Sequence, residues 1–314
     1  MKLVIGSRGS ALALWQANWA RRKLASAYPD FSIEIEVIKT EGDRLSETPV
    51  SQIGGKEVWT KEIEHALLSG SIDLAVHSLK DLPTRLPEGL VLGAVSARED
   101  VRDVLVSKND RVFRDLPEGA TVATGSLRRQ AQLKHARPDL NFVAIRGNVD
   151  TRVKKLETEN LDGIILAAAG LKRLGLGDRI ADFIDPEICL PAPGQAALGI
   201  EIREGDQRIT ELVGVLNCVE TQQAVTAERT MLAALGGDCR VPIGGYAAFD
   251  KASIDVLLLS GVVASPDGRQ VISERAEGQA PSAEQLGVRV AKGLIKQGAG
   301  VILDRDGKDT LPRH

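Results

Sequence analysis

Strand-like and helix-like stretches alternate along the first 170 residues, and this rhythm limits the possible folds more than any other feature of the chain. KLVIG (2–6) is a short apolar run that reads as a strand. SALALWQANWARRKLASA (10–27) carries apolar residues at helical spacing behind Ser10, a good N-cap. SIEIEVIK (32–39) alternates polar and apolar residues, as a strand does. Residues 40–55, rich in Gly, Ser, Thr and Pro, predict a long loop; a helix is expected over 56–69 and a strand over 72–78. The alternation restarts after SAREDVRD (96–103). Strands are expected at 120–124, 141–146 and 162–170, and helices at 126–136, capped by Ser126, and 148–157. This order predicts α/β architecture: an open, mostly parallel sheet with helices on both faces. Such sheets bind ligands beyond the carboxyl ends of their strands, and two such domains side by side form a cleft.

The Pro- and Gly-rich CLPAPGQAALG (189–199) reads as a crossing between domains. After it come a helix (216–235), a hairpin of strands 253–264 and 269–278 around SPDG, and a helix (282–297). This part reads as a small C-terminal α+β domain. The expected division is 1–96 with 197–216 returning to it, then 97–196, then 217–314; 314 residues are ample for such cores.

Composition removes several function classes. A net charge of -3 and 3% aromatic residues offer neither a general basic surface nor a stacking platform, so no nucleic-acid partner is expected. No run of roughly 18 apolar residues predicts a membrane span, and no apolar segment with a cleavage site predicts export. Cys189, Cys218 and Cys239 are odd in number and far apart, which fits a reducing cytoplasm. Four histidines (65, 77, 135 and 314) and no Cys-x-x-Cys give no metal site.

Three constellations could carry chemistry. Between 126 and 155, eight Lys/Arg stand against two acids. Arg8, Arg128, Arg129, Arg146, Arg152 and Arg173 fall where strands end or helices begin, which suits carboxylate or phosphate ligands. Lys134, Arg137, Lys154 and Lys155 read as a solvated basic face. In AVHSLKDLP (75–83) an apolar strand runs into Ser78, Lys80 and Asp81. Asp81 is either a turn cap before Pro83 or a carboxylate that stabilises a cation or moves a proton. Finally, Cys239 sits in the glycine loop LGGDCRVPIGG beside Arg240, which would favour its thiolate. A cysteine hydrolase would need a base, and His77 is the one candidate. Cys189 and Cys218, beside apolar residues, read as core or interface filler.

Taken in order, IGSRGSALALWQA, GGKEVWTKEIE, DLAVHSLKDLP, GSLRRQAQL, RGNVDTR, ILAAAGLKRLG, LPAPGQAALGIE, TAERTML and GGDCRVPIGGYA resemble the porphobilinogen deaminase (hydroxymethylbilane synthase) family over nearly the whole chain. The resemblance implies two domains like type II periplasmic binding proteins flanking a cleft, and a third carrying a cysteine on a loop. It implies a transferase that joins four porphobilinogen molecules head to tail, releasing ammonia each time, into linear hydroxymethylbilane. It also implies a dipyrromethane cofactor held by a thioether at Cys239, with Asp81 catalytic. Lys80, Ser126, Arg128, Arg129, Arg146 and Gly147 match cofactor-binding positions; Arg8, Ser10, Lys56, Trp59, Ser78, Arg152, Arg173 and Gln195 match substrate-binding positions. A cytoplasmic monomer is implied, with no nucleic acid, membrane or metal. The chain departs from the family at Glu57 and Trp59 in the lid, at Gly125 where serine is usual, and at Ala196 where glycine is frequent. The rival from another class is a non-enzymatic carboxylate-binding module of two domains, which would have no use for Cys239.

Overall fold

The computed structural model describes residues 2–44, 59–236, 242–250 and 252–306. Its strands are β1 Lys2–Ser7, β2 Ser32–Val37, β3 Leu74–Ser78, β4 Leu90–Val95, β5 Asp103–Ser107, β6 Thr121–Ala123, β7 Asn141–Val143, β8 Gly163–Ala167, β9 Asp182–Phe183, β10 Leu198–Arg203, β11 Ile243–Asp250, β12 Ser253–Ala264 and β13 Val271–Gln279. Its helices are α1 Ala11–Ala27, α2 Glu41–Arg44, α3 Lys61–Leu68, α4 Leu127–Ala136, α5 Val149–Thr158, α6 Ala168–Arg173, α7 Gln207–Val213, α8 Val219–Ala234, α9 Ala283–Lys296 and α10 Ala299–Asp306. The chain divides into two compact units, residues 1–99 with 196–222 and residues 100–195 with 223–314.

The first unit is built on a five-stranded sheet of order β2-β1-β3-β10-β4. β1 pairs parallel with β2 and β3, but β10 runs antiparallel to both β3 and β4. The mostly parallel sheet expected from the βα rhythm is therefore mixed, because β10 arrives by the crossing segment and not through a helical crossover. Alternation along β3 and β10 sorts their side chains. Leu74, Val76, Leu198, Ile200 and Ile202 join Leu3 and Ile5 in one core, onto which α1 lays Ala17, Ala20 and Leu24. His77 and Glu201 fall on the other face. The Ser10 cap forms as expected, its hydroxyl accepting from the Ala13 amide at 3.3 Å.

The second unit repeats the scheme with the order β7-β6-β8-β5-β9. β6 pairs parallel with β7 and β8, and β5 pairs antiparallel with β8 and β9. Its other sheet is the antiparallel meander β11-β12-β13, whose hairpin falls where SPDG predicts it. α9 covers this sheet with Leu286, Val290, Ala291 and Leu294. The hairpin tip docks on α4: Gly268 carbonyl lies 2.9 Å from His135 Nδ1. Here φ is +73°, and a Cβ would sit 2.8 Å from the Ala131 carbonyl, so only glycine fits.

The α/β class with a further small domain stands. Strands β4, β5, β9, β10 and β11 were not expected from the sequence. The helix expected over 56–69 begins at Lys61 among the described residues.

Candidate active site

In the first unit the site residues gather at the ends of β1 and β3. Leu79–Asp81 forms a single tight turn after β3. Leu79 and Leu82 are buried on either side of it, and the Leu79 amide donates to the Ala197 carbonyl at 3.0 Å. Leu82 is extended, as a residue before proline must be. Embedding the two leucines turns Lys80 and Asp81 outward, Lys80 half-buried and Asp81 exposed. The Asp81 carboxylate makes no hydrogen bond or ion pair among the described residues, so it does not cap the turn. Ser78 Oγ accepts from Gln16 Nε2 at 2.7 Å. The Arg8 guanidinium lies 4.4 Å from the centre of the Trp59 ring, a cation–π contact. His77, the one candidate base for a hydrolase, is buried instead against Glu201, Nε2 to Oε2 3.0 Å. Lys56 lies outside the described residues.

In the second unit Ser126 caps α4, accepting from the Arg129 amide at 3.4 Å. The next two residues are the arginine pair, each only 5% exposed. Both turn onto one carboxylate, the fully buried Asp103 at the start of β5. Arg129 Nε and Nη2 donate to its Oδ1 at 2.9 and 2.7 Å, and Arg128 Nη1 stands 2.8 Å from Oδ2. Gln195 Nε2 adds a bond to Oδ1 at 2.9 Å and another to the Val101 carbonyl at 2.8 Å. The Cys189 thiol donates to Oδ2 at 3.5 Å. Burial pushes the Asp103 carboxyl upward, and the two guanidinium charges overcome this and hold it below the ordinary carboxylate range. Burial, reinforced by Asp103, pushes the Cys189 thiol up to about 12, so it stays protonated.

Two buried cations against one anion leave a surplus of positive charge, and Arg146 adds to it. Arg146 is half-buried in the loop before α5, and its Nη2 is fully buried with no hydrogen-bond partner among the described residues. Desolvation lowers its pKa. Beside it Gly147 has φ +106°, and its carbonyl accepts from Arg152 Nε at 2.7 Å. A Cβ on Gly125 would lie 2.9 Å from the Ile145 carbonyl, so the serine usual there would not fit this loop. Arg173 ends α6, half-buried.

The crossing segment is tied down from several sides. The Leu190 carbonyl accepts from Arg128 Nη1 at 2.7 Å, and the Glu228 carboxylate accepts from the Gly194 and Ala247 amides at 2.7 and 2.8 Å. Cys239, which precedes β11 in the chain, lies outside the described residues.

Three readings change. Arg137, expected on a solvated face, pairs with Asp139 and donates to the Phe113, Arg114 and Leu116 carbonyls. Cys218, expected as filler, is half-exposed and bonded to Glu220 and Thr221. Cys189 is core, but polar core. The sequence reading missed Asp103 because it fell in the stretch taken as a domain boundary. An acid opening the apolar run VLV, with an arginine pair nearby, was the available signal.

These features define an α/β protein with a surplus of buried cations suited to a carboxylate-rich ligand. Residues 3–211 match the model described as "Porphobilinogen deaminase, dipyromethane cofactor binding domain", and 222–296 match "Porphobilinogen deaminase, C-terminal domain". The porphobilinogen deaminase of Pelobacter propionicus is 49% identical over 303 residues, 96% of this chain and 96% of its own. That of Geobacillus sp. strain WCH70 is 48% identical over 305 residues, 97% of each. The substrate binding protein of an amino acid ABC transporter is 15% identical, covering 69% of this chain and 92% of its own, with a TM-score of 0.36. The chain belongs to the porphobilinogen deaminase family.

Proposed function

We propose that the chain joins four porphobilinogen molecules head to tail, with loss of ammonia at each step, into linear hydroxymethylbilane. The observation that carries this reading, beside family membership, is the buried cation surplus of the second unit: Arg128 and Arg129 share one carboxylate, and Arg146 Nη2 has no acceptor among the described residues. An orphaned buried donor on a cation fits a dipyrromethane bearing acetates and propionates. When bound, that group supplies the free pyrrole carbon onto which the first substrate is joined.

The residues of this chain then have the following tasks. Cys239 holds the cofactor by a thioether, and the glycines around it leave room for a pyrrole chain. Ser126, Arg128, Arg129, Arg146, Gly147 and Lys80 bind cofactor carboxylates. Arg8, Ser10, Ser78, Arg152 and Arg173 bind substrate, and Lys56 and Trp59 cover it; Gln195, expected to bind substrate, is fully buried against Asp103 and Val101 and acts from behind the site. Departure of ammonia leaves a positive charge on the substrate's methylene-pyrrole, and Asp81 stabilises it. An unpaired, exposed carboxylate is suited to this task because no internal partner has to be displaced. Asp81 also accepts the proton released as the new carbon–carbon bond forms. Three domains, 1–96 with 197–216, 97–196 and 217–314, carry these tasks; the presence of three separate sheets supports that division. The chain works as a cytoplasmic monomer without nucleic acid or membrane.

Incubation with porphobilinogen tests the reading. Four ammonia molecules should appear for each linear tetrapyrrole released. Binding of porphobilinogen without ammonia release would favour a carboxylate-binding module instead.

A further inference from the structure

We propose that Asp103 is a positioning residue for the carboxylate-binding arginine pair; this rests on the function proposed above. Adjacent guanidinium groups repel each other, and each long side chain loses rotamer entropy when held in one geometry. Asp103 offsets both costs at once. Its Oδ1 takes Nε and Nη2 of Arg129, while Oδ2 takes only Nη1 of Arg128. Nη1 of Arg128 is also the atom that donates to the Leu190 carbonyl and to Cys189 Sγ. All of its internal contacts therefore run through one nitrogen. Nε and Nη2 of Arg128 carry no hydrogen bond among the described residues. They form an edge of the guanidinium fork that a ligand carboxylate can take with two bonds.

Asp103 is itself immobile. It is completely buried at the start of β5, and Gln195 and Cys189 fill its remaining acceptor positions. It stands in a different unit from Asp81. One fixed anion between two cations also sets the local charge. The pair keeps one unit of positive charge for the ligand, enough to attract a carboxylate.

The test uses the full-length enzyme as purified, with the fraction carrying the covalent adduct read by intact mass. In Asp103→Asn the side chain keeps its shape, but its amide points N–H groups at one guanidinium. The loaded fraction of the soluble, folded protein should fall roughly tenfold. Gln195→Met removes one bond to Oδ1 and should lower the loaded fraction roughly threefold. If Asp103→Asn is insoluble, Gln195→Met decides alone. A role confined to folding lowers the yield and the melting temperature but leaves the surviving folded protein loaded to the wild-type level, and that result overturns the proposal. If the wild-type protein carries no adduct and releases no ammonia, the functional reading fails, whatever the variants do.

Discussion

Asp81 and Asp103 are both acids at the end of an apolar strand, yet their surroundings are opposite. Asp81 follows β3 on a turn pinned by two buried leucines, and its carboxylate is exposed and unpaired among the described residues. Asp103 opens β5, is fully buried, and receives Arg128, Arg129, Gln195 and Cys189. The acid proposed to meet a passing charge is free of internal partners among the described residues. The acid proposed to hold permanent charges in place is saturated. Burial separates the roles: a desolvated carboxylate has to be paired, and a paired carboxylate is no longer available to a substrate.

The largest effect is expected at Asp81. Asp81→Asn should cut kcat by about a thousandfold, within the range for a positioned charge-stabilising or proton-transferring group. Its melting temperature should stay within roughly 1 °C, since no internal contact is lost. Turnover within tenfold of wild type would remove the role assigned to it. Asp103→Ala should do the reverse to stability. It strands two buried guanidinium groups and should cost about 3–5 kcal/mol, read as a drop in melting temperature of roughly 5–15 °C. A change under a degree would mean that the pair does not depend on this carboxylate.

Acid sharpens the same contrast. The folded pKa of Asp103 is depressed, and that of Asp100 is lowered to about 2, chiefly by its hydrogen bond from Arg102. A depressed carboxyl contributes stability that is fully present above its unfolded pKa near 4 and is lost as pH falls through the folded value. Both residues lie in the second unit. Stability measured by denaturant should therefore fall steadily between pH 4 and about pH 2, and in Asp103→Ala that slope should be shallower. An equal slope in both proteins would contradict the assignment.

The smallest effect is expected at the crossing. Ala196 has φ +73°, a left-handed conformation that costs a residue with a Cβ about 1 kcal/mol. Ala196→Gly, which restores the family's frequent residue, should raise stability by no more than that, as seen in denaturant midpoints. A loss of stability would show that the methyl group's burial outweighs the strain.

What the sequence revealed follows from the range of the interactions. The Ser10 and Ser126 caps, α1, α4, the SPDG hairpin and the turn at Asp81 are local: a hydroxyl three residues ahead of an amide, or a period of two or 3.6. Asp103 with Arg129 spans 26 residues, and with Cys189 it spans 86. Nothing in local patterning marks such a pair. The Glu201–His77 contact depends on β10 running antiparallel beside β3, which the βα rhythm did not foretell. Arg137 looked like one more solvated cation because its carbonyl partners come from a segment about 20 residues earlier. The family resemblance supplied Cys239 and the list of binding positions. It could not say which arginines are tied to an internal acid and which, like Arg146, keep a donor unpaired.

A sulfur-tethered, carboxylate-rich pyrrole chain is proposed to neutralise the buried cation surplus of the second unit. Intact-protein mass of the purified, full-length chain tests it most directly. The expected mass exceeds that of the sequence by one dipyrromethane, and the excess is absent from Cys239→Ala. A protein that turns over porphobilinogen at the bare sequence mass would contradict it.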